Sequence, residues 1–554
     1  MLITRLIAMI LSALNGIMIS LMAYRFFHAY QLGGYRLGRL FAWYRNTNNK
    51  YMARLAIISF FSTGALIVTN VLFRAYAEGF FAYIGMVFHF LIGTLFAVYE
   101  LKLPKKKPLV FTQRLTRLYI AFLILVTVTT YFMFVGSYEL MIQNFGVDNG
   151  GIYMTLRYIT VSVTPVAIPL FFTVIALIMR PFESLNNGKY MRRATDALAR
   201  RKDVIKIGIT GSYGKTSVKF ILEKMLAQKY ETLATPASYN TPMGIAKCAS
   251  KLKPEHEVFI AEMGARNVGD IRTLVNMVRP QYVMLTGIAG QHLETFHTIE
   301  NVIKTKSEIL DGLPEDGMAV FNGDNELVRA IYEKCEASKI ITATDGEEGV
   351  FAYADEITSG RNGSRFTLTV DGHSIRCATR LLGRHHISNI VLSAALAYKL
   401  GVDLGDIAQA VAELKPVPHR LELNVHSNGI TVIDDSFNSN VEGTKAALDV
   451  LAMFHGRKAI VTPGMIELGI TEREQNYEFG KRIASVCDVA VLIGKVRSEP
   501  IHMGLKDAGF DEKNIHVFAS LHDARANFKN IFASGDTVLL ENDLPDDYSE
   551  IDDK

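Results

Sequence analysis

One stretch of the chain has residue types and spacing suited to holding a polyphosphate: Thr210-Gly211-Ser212-Tyr213-Gly214-Lys215-Thr216-Ser217. Small residues let backbone N–H groups approach phosphate oxygens, and a helix starting at the lysine adds positive potential. In such a loop Lys215 contacts the β- and γ-phosphates of ATP, and the Thr216 hydroxyl reaches Mg²⁺. The usual spacing has a further glycine five places before Gly214, where this chain has Ile209, so the match to the general pattern is incomplete. A chance glycine turn is the competing reading. Against it stands the order of elements that such a loop requires: a buried strand at Val204–Ile209 before it and a helical pattern after it.

The flanking sequence supplies more strands of that kind. Val258–Met263, Tyr282–Thr286 and Met318–Phe321 are short apolar, β-branched runs separated by glycine turns and helical patterns. That alternation predicts a parallel α/β sheet covered by helices. Beyond Pro416, Lys458–Thr462, Val489–Gly494 and Thr537–Leu540 predict a second α/β layer. The full chain of 554 residues is too long for one domain. The expected division is a transmembrane domain over 1–185, a basic linker over 186–203, an ATP-binding domain over 204–415 and a C-terminal domain over 416–554.

The charge is unevenly distributed. Met1–Asp203 holds 22 Lys+Arg against 7 Asp+Glu, a net of +15, while the remainder holds 37 against 48, a net of −11. The basic part is interleaved with apolar runs, which points to anionic lipid and away from nucleic acid. Five of these runs, Leu6–Ala23, Ala56–Phe73, Phe80–Tyr99, Leu118–Ser137 and Tyr158–Met179, are free of charge and have the length of a bilayer span, ~20 residues. The first and third connections are rich in Arg and Lys, as is the segment after the fifth run; the second and fourth hold only Arg74 and Arg157. This alternation predicts a multi-pass protein of a bacterial-type cytoplasmic membrane, with the N-terminus outside and the catalytic part in the cytoplasm. The first connection, Tyr24–Arg54, reads equally as an amphipathic helix or a charged loop. His89 reads as a buried, hydrogen-bonded histidine, and Pro165 and Pro169 as a kink in the fifth run. Cys248, Cys335, Cys377 and Cys487 lie too far apart for a zinc site.

Thr-Gly-Ser-Tyr-Gly-Lys-Thr resembles the phosphate loop of the Mur ligase family, and further motifs of that family follow in order. They are Ser238-Tyr239-Asn240-Thr241-Pro242-Met243-Gly244; Ala261-Glu262-Met263-Gly264-Ala265 with Gly269-Asp270-Ile271; His292-Leu293-Glu294 with Asn301–Leu313; Gly383-Arg384-His385 with Asn389; Pro418-His419-Arg420; and Asp434-Asp435-Ser436-Phe437-Asn438-Ser439-Asn440. The likeness covers most of residues 204–540 and is to the branch that adds D-alanyl-D-alanine to UDP-N-acetylmuramoyl-tripeptide. It implies an amide ligase that uses ATP and two Mg²⁺ ions and proceeds through an acyl-phosphate. It further implies that Gly211, Ser212, Tyr213, Gly214, Lys215, Thr216 and Ser217 bind ATP with Asn389, Arg420 and Asp435. Thr216, Glu262, His292 and Lys306 are the implied metal set, Lys306 as a carbamate formed with CO₂; Lys304 is the nearby competitor. Lys215, Lys306 and His292 are the implied catalytic groups. The C-terminal region is expected to be a dinucleotide-fold-like domain that closes on the ATP site.

Three features depart from the family. The UDP-holding N-terminal domain is replaced by the apolar runs. The last strand, which in the family leads into a basic Lys-Gly-Ser-Arg-like loop, leads here into Glu541-Asn542-Asp543-Leu544-Pro545-Asp546-Asp547. An acidic loop suits an amine, a metal or a basic partner, so Asn240, Asn438, Asn440, Glu541 and Asp543 are candidates for acceptor or amine recognition. His386 also stands where the family has asparagine. The expected acceptor is a lipid-linked cell-wall precursor, with the bilayer itself as a partner and an amino acid or dipeptide as the amine. The alternatives are a tethered ligase using soluble UDP-linked tripeptide, a polyglutamate-type ligase, and a non-catalytic ATP-sensing scaffold.

Overall fold

The computed structural model describes residues 2–45, 50–73, 80–103, 108–145, 161–290, 293–437 and 439–542. His292, Asn438 and Asp543 lie outside the described residues, as do Arg74 and Arg157. Two compact units divide at Asn186/Asn187.

The first unit is helical: Leu2–Met22, Tyr24–Leu32, Leu37–Arg45, Lys50–Phe73, Phe80–Lys102, Gln113–Phe145 and the start of Ile168–Arg200. Among the described residues, Gln113–Met133 and Ile168–Arg200 are long and apolar enough to cross a membrane, and a third span results if Leu6–Met22 and Tyr24–Leu32, bent by 43°, are one. The expected five are therefore not all seen as spans, although helices also occupy two more of the expected positions, Lys50–Phe73 and Phe80–Lys102. The first connection is two short helices that bury Phe26, Phe27, Tyr30 and Leu40. Phe27 packs edge-on to Phe172 and Phe122, with ring centroids 5.0 and 5.5 Å apart. His89 is buried and bonded to Ser62 Oγ (2.9 Å) and Asn15 Oδ1 (3.2 Å). Pro165 lies in a turn just before the helix that starts at Ile168, and Pro169 lies in that helix's first turn, where a missing N–H costs nothing. Val161 and Ser162 before the turn are helical too, so the proline pair marks a break in the helical run, sharper than the expected kink. The charged groups Glu100 and Glu183 are buried and each is bonded by arginine: Arg25 and Arg54 at 2.6 and 2.8 Å, and Arg117 at 2.8 and 2.9 Å.

The second unit contains two sheets. The larger has the order β2-β3-β1-β4-β5-β6-β7-β8-β9. Its strands are β1 (Ile205–Thr210), β2 (Thr232–Ala234), β3 (Val258–Glu262), β4 (Tyr282–Leu285), β5 (Met318–Asn322), β6 (Lys339–Thr342), β7 (Ala352–Gly360), β8 (Gly363–Val370) and β9 (His373–Thr379). Strands β1 to β6 are parallel, and β7-β8-β9 form an antiparallel meander. Alternation along β3 decides which helices it meets. Val258 and Ile260 face the helices Lys215–Leu226 and Arg384–Lys399, while Phe259 and Ala261 face Pro242–Ala249 and Asp270–Val278. Glu262, in phase with Val258 and Ile260, therefore ends the strand on the side of the phosphate-loop helix.

The smaller sheet has the order β10-β11-β15-β12-β13-β14, with β10 (Glu422–Val425), β11 (Thr431–Asp435), β12 (Lys458–Thr462), β13 (Val489–Ile493), β14 (Ile515–Phe518) and β15 (Thr537–Glu541). All pairs are parallel except β10–β11. On one face, helices Glu472–Val486 and Glu499–Asp507 cross with backbones nearly touching. A β-carbon at Gly504 would sit 2.1 Å from the Tyr477 carbonyl oxygen, and one at Gly480 would sit 2.3 Å from that of Ile501. Neither carbonyl can yield without moving a helix. Gly504→Ala is therefore expected to destabilise the protein by about 1–3 kcal/mol, read as a lower melting temperature by circular dichroism; an unchanged melt would show that the helices part freely.

Candidate active site

Strand β1 lies between β3 and β4, and the chain leaves it first toward β2 and β3, then returns to β4 on the other side. The carboxyl ends of these strands thus open a crevice, the usual ligand position in parallel α/β sheets. Thr210 ends β1, Glu262 ends β3, Thr286 follows β4 and Asn322 ends β5.

The loop after β1 turns into the helix Lys215–Leu226 through Gly214, whose φ of 79° is left-handed and favours glycine. Three interactions hold the loop down. Ser212 N donates to Gly287 O at 2.6 Å, Ser212 Oγ to Ala289 O at 3.0 Å, and Thr286 Oγ1 to the Tyr213 carbonyl. The Tyr213 hydroxyl accepts from Asn325 Nδ2 at 3.1 Å, and burial raises its pKa. Lys215 Nζ donates back to Gly211 O (2.7 Å) and Ser212 O (3.1 Å). Its pKa falls to about 8, chiefly through burial, with Arg420 adding to the fall and Glu262 opposing it.

Glu262 is the hub. Its Oε2 accepts from Thr216 Oγ1 at 3.0 Å and from Lys219 Nζ at 3.1 Å, and its Oε1 from Asn240 Nδ2 at 3.1 Å. Lys306 is buried and Lys304, the competitor, is exposed. The Lys306 amine is held well below its ordinary pKa by burial first and by Lys215 second, against the opposing charges of Asp270 and Glu262. Ser217 is buried in the first turn of the helix. Hard oxygen donors on Thr216 and Glu262 suit Mg²⁺, and Lys306 lies within electrostatic reach of them.

Asn389 is buried on the helix Arg384–Lys399, with its Oδ1 3.0 Å from where a β-carbon on Gly214 would be. It therefore faces the phosphate loop. His386 beside it is buried, its pKa pushed well down by burial, and its Nδ1 has no hydrogen-bond partner among the described residues. A second polar cluster went unnoticed in the sequence. Ser388 Oγ donates to Asp324 Oδ2 (2.5 Å) and Asn322 Oδ1 (3.2 Å), and Asn322 Nδ2 to Thr286 O (2.8 Å). The signal was there in Asn322-Gly323-Asp324-Asn325, an Asn/Asp-rich turn at the carboxyl end of an apolar strand.

From the smaller sheet come Arg420 and Asp435. The Arg420 guanidinium stacks 4.5 Å from the Phe437 ring, and its charge is felt by both Lys215 and Asp435. Burial pushes Asp435 up to about 6, against the pull of Arg420 and the Leu421 N–H bond. Asp435 pairs in register with Glu541 across β11 and β15. Glu541 ends its strand and is fully buried, so it is no part of a solvated acidic loop. It accepts from Ser439 Oγ at 2.7 Å, while its Oε2 has no hydrogen-bond partner among the described residues. Burial first and Asp435 second raise its pKa well above the usual 4.5. Asn440 caps the helix Val441–Ala452, accepting from Gly443 N at 2.9 Å. Apart from these, His419, Glu422 and Asp434 offer ligand atoms within 4.8 Å of one another, but His419 Nδ1 is already bonded to Asp434 Oδ2 at 2.8 Å.

The chain matches two domain families, the Mur ligase middle domain over residues 209–397 and the Mur ligase glutamate ligase domain over residues 419–541. It is similar to the UDP-N-acetylmuramoyl-tripeptide–D-alanyl-D-alanine ligase of Escherichia coli (strain K12), 33% identical over 290 residues, which are 52% of this chain and 64% of that one. For the enzyme of that name from Mycobacterium tuberculosis (strain ATCC 25618 / H37Rv) the identity is 31% over 362 residues, 60% and 69% of the two chains. In structure it is similar to MurF from Acinetobacter baumannii (TM-score 0.60, 23% identity, 66% of this chain and 79% of that one). It is also similar to MurF ligase from Thermotoga maritima, whose crystal structure is in complex with ADP (0.56, 24%, 64% and 80%). At these identities the likeness is one of fold.

A carboxyl that is protonated when folded and ionised when unfolded stabilises the fold below its unfolded pKa, and that stability is lost as pH rises through its folded pKa. For Glu541 and Asp435 the window opens near 4 to 4.5 and extends through about 6 and above. Melting temperature is expected to fall as pH rises over this window. Glu541→Gln, which keeps the shape and removes the charge, should flatten the fall from about pH 4.5 upward; an unaltered slope in the variant would show that Glu541 ionises freely in the fold.

Proposed function

The chain belongs to the Mur ligase family of ATP-dependent amide-forming ligases, and we propose that it extends a cell-wall precursor at the membrane by joining its carboxylate to an amine. The observation that carries this reading is the convergence on one crevice of Lys215, Glu262 with its Thr216 bond, the neutral-leaning Lys306, and Arg420 from the second sheet. Such a set suits a nucleoside triphosphate and its metal.

In this reading Lys215 and the N-terminus of its helix draw the β- and γ-phosphates, and Arg420 adds positive charge from the opposite side. Thr216 and Glu262 would hold Mg²⁺, with His292 and Lys306 for a second ion; the metal would neutralise charge that builds up on the phosphoryl oxygens. The acceptor carboxylate oxygen attacks the γ-phosphorus, an O–P bond forms, and the bond to ADP breaks. The amine nitrogen then attacks the acyl carbon; the C–N bond forms as phosphate leaves, and the nitrogen gives up a proton. Closure of the smaller sheet over the crevice would keep water from the acyl-phosphate. The Lys306 environment favours the neutral amine, the form that adds CO₂ to give a carbamate and a proton. Asn389 and Asp435 are assigned to the nucleotide, and Asn240 to the acceptor or amine side.

The relatives' names favour D-alanyl-D-alanine as the amine and UDP-N-acetylmuramoyl-tripeptide as the acceptor. The helical unit favours a lipid-linked acceptor in its place. Large apolar side chains such as Met9, Phe60, Leu95, Phe132 and Leu170 are exposed on its helices, an arrangement suited to lipid, and the arginine-rich connections favour a cytoplasmic catalytic part.

Phosphate release by the detergent-solubilised full chain, given ATP, Mg²⁺ and bicarbonate, tests this reading. Release is expected only when an acceptor and an amine are both present, to be greater with lipid-linked than with UDP-linked tripeptide, and to drop about a hundredfold or more in Lys215→Ala. Equal or better use of the soluble acceptor would remove the lipid-linked assignment and leave a tethered ligase. No release with any pair would remove the ligase.

A further inference from the structure

Lys219 is a lysine with no solvent exposure at all. It lies three residues after Thr216 on the same helix, so both side chains project toward the end of β3. Burying an ammonium is costly unless its protons are accepted. Two acceptors are present: Glu262 Oε2 at 3.1 Å and the carbonyl oxygen of Ala237.

These acceptors belong to different parts of the crevice. Glu262 sits on the phosphate side. Ala237 lies in the loop after β2, with a left-handed φ of 45° and three residues before Asn240, whose Nδ2 returns to Glu262 Oε1. The loop is tied to β3 and the residues after it by three more bonds, Thr235 N to Ile260 O (3.0 Å), Glu262 N to Thr235 Oγ1 (3.1 Å) and Gly264 N to Asn240 O (2.9 Å). Lys219 thus closes a ring that runs from the phosphate-loop helix to Glu262, to Asn240, along the loop to Ala237 and back. An ionised carboxylate has about four lone-pair directions. Thr216, Lys219 and Asn240 take three of them, so the remaining one has a defined aim.

We propose that Lys219 is a positioning residue that holds the Glu262 carboxylate and the 235–241 loop in one arrangement, so that the metal-binding side and the acceptor side of the crevice are set together. Without its ammonium, Oε2 loses a donor and a compensating charge, and the loop loses the bond at its left-handed residue. Glu262 is then free to turn, and a metal ion must organise it on binding. The inference rests on the ligase reading, in which Glu262 serves Mg²⁺.

The test measures binding of a fluorescent ATP analogue to the full chain as Mg²⁺ is titrated, in wild type and Lys219→Met. Hydrogen exchange of residues 235–241 is measured alongside. Binding in EDTA is expected to stay within about twofold, while the Mg²⁺ needed for half-maximal tightening rises about tenfold or more, the range typical of groups that orient a metal ligand. Faster exchange in the loop is expected as well. A merely structural lysine would shift binding with and without Mg²⁺ alike. If Lys219→Met does not fold, Lys219→Gln, which keeps a donor and loses the charge, is read in the same way. An unchanged Mg²⁺ requirement in a folded variant overturns the inference and leaves the ligase reading intact. A wild type that shows no Mg²⁺-dependent nucleotide binding overturns both.

Discussion

The arrangement of the crevice depends on one buried carboxylate. Glu262 ends a central parallel strand in a place with little water, so each of its oxygens must find a donor from the protein. The three donors come from two elements, Thr216 and Lys219 on the phosphate-loop helix and Asn240 on the loop after β2. Satisfying this single group therefore fixes a helix, a strand and a loop against one another. The phosphate loop is tied to the far side of the crevice in the same way, through Thr286 and Asn325, so its glycines need not be held by a ligand to keep their shape.

The second sheet solves the opposite problem. Asp435 and Glu541 stand in register at the ends of neighbouring strands, both shielded, with one guanidinium nearby. Two ionised carboxylates cannot be afforded there, and the pair relieves the conflict by keeping a proton. Arg420 opposes the rise at Asp435, and the Ser439 hydrogen bond opposes it at Glu541. Arg420 thus lies within electrostatic reach of Asp435 on its own side and of Lys215 on the phosphate loop.

Legibility differed by element for physical reasons. Strands β1, β3, β4, β5, β12, β13 and β15 were readable to within a residue or so at their ends, because a parallel strand buried on both faces must be a continuous apolar run. The meander β7-β8-β9 was not read. Its strands are polar on one face, as in Ala352–Gly360, and its pairing depends on partners further along the chain. Apolar runs in the first 180 residues were visible from composition alone. The turn at Pro165 and the two short helices of the first connection were not decided by it, since the same residues serve a kink or a loop equally well until packing around Phe26 and Phe27 selects one.

By itself the sequence determined the order of the chemistry: a phosphate loop after a buried strand, a carboxylate at the end of a second strand, and an acidic group where the last strand ends. These are local facts, written in residue type and in a repeat of two or of 3.6, and they need no partner to be read. The tertiary structure decided which of the charged groups are inside. Lys219 and Lys304 look alike as helix lysines, yet one is sealed against Glu262 and the other meets solvent. Glu541 reads as the first residue of an acidic tail, and only its place beside Asp435 in the sheet makes it a buried acid. A side chain's charge state and role follow from its desolvation and its neighbours, and both are set by segments far apart in the chain.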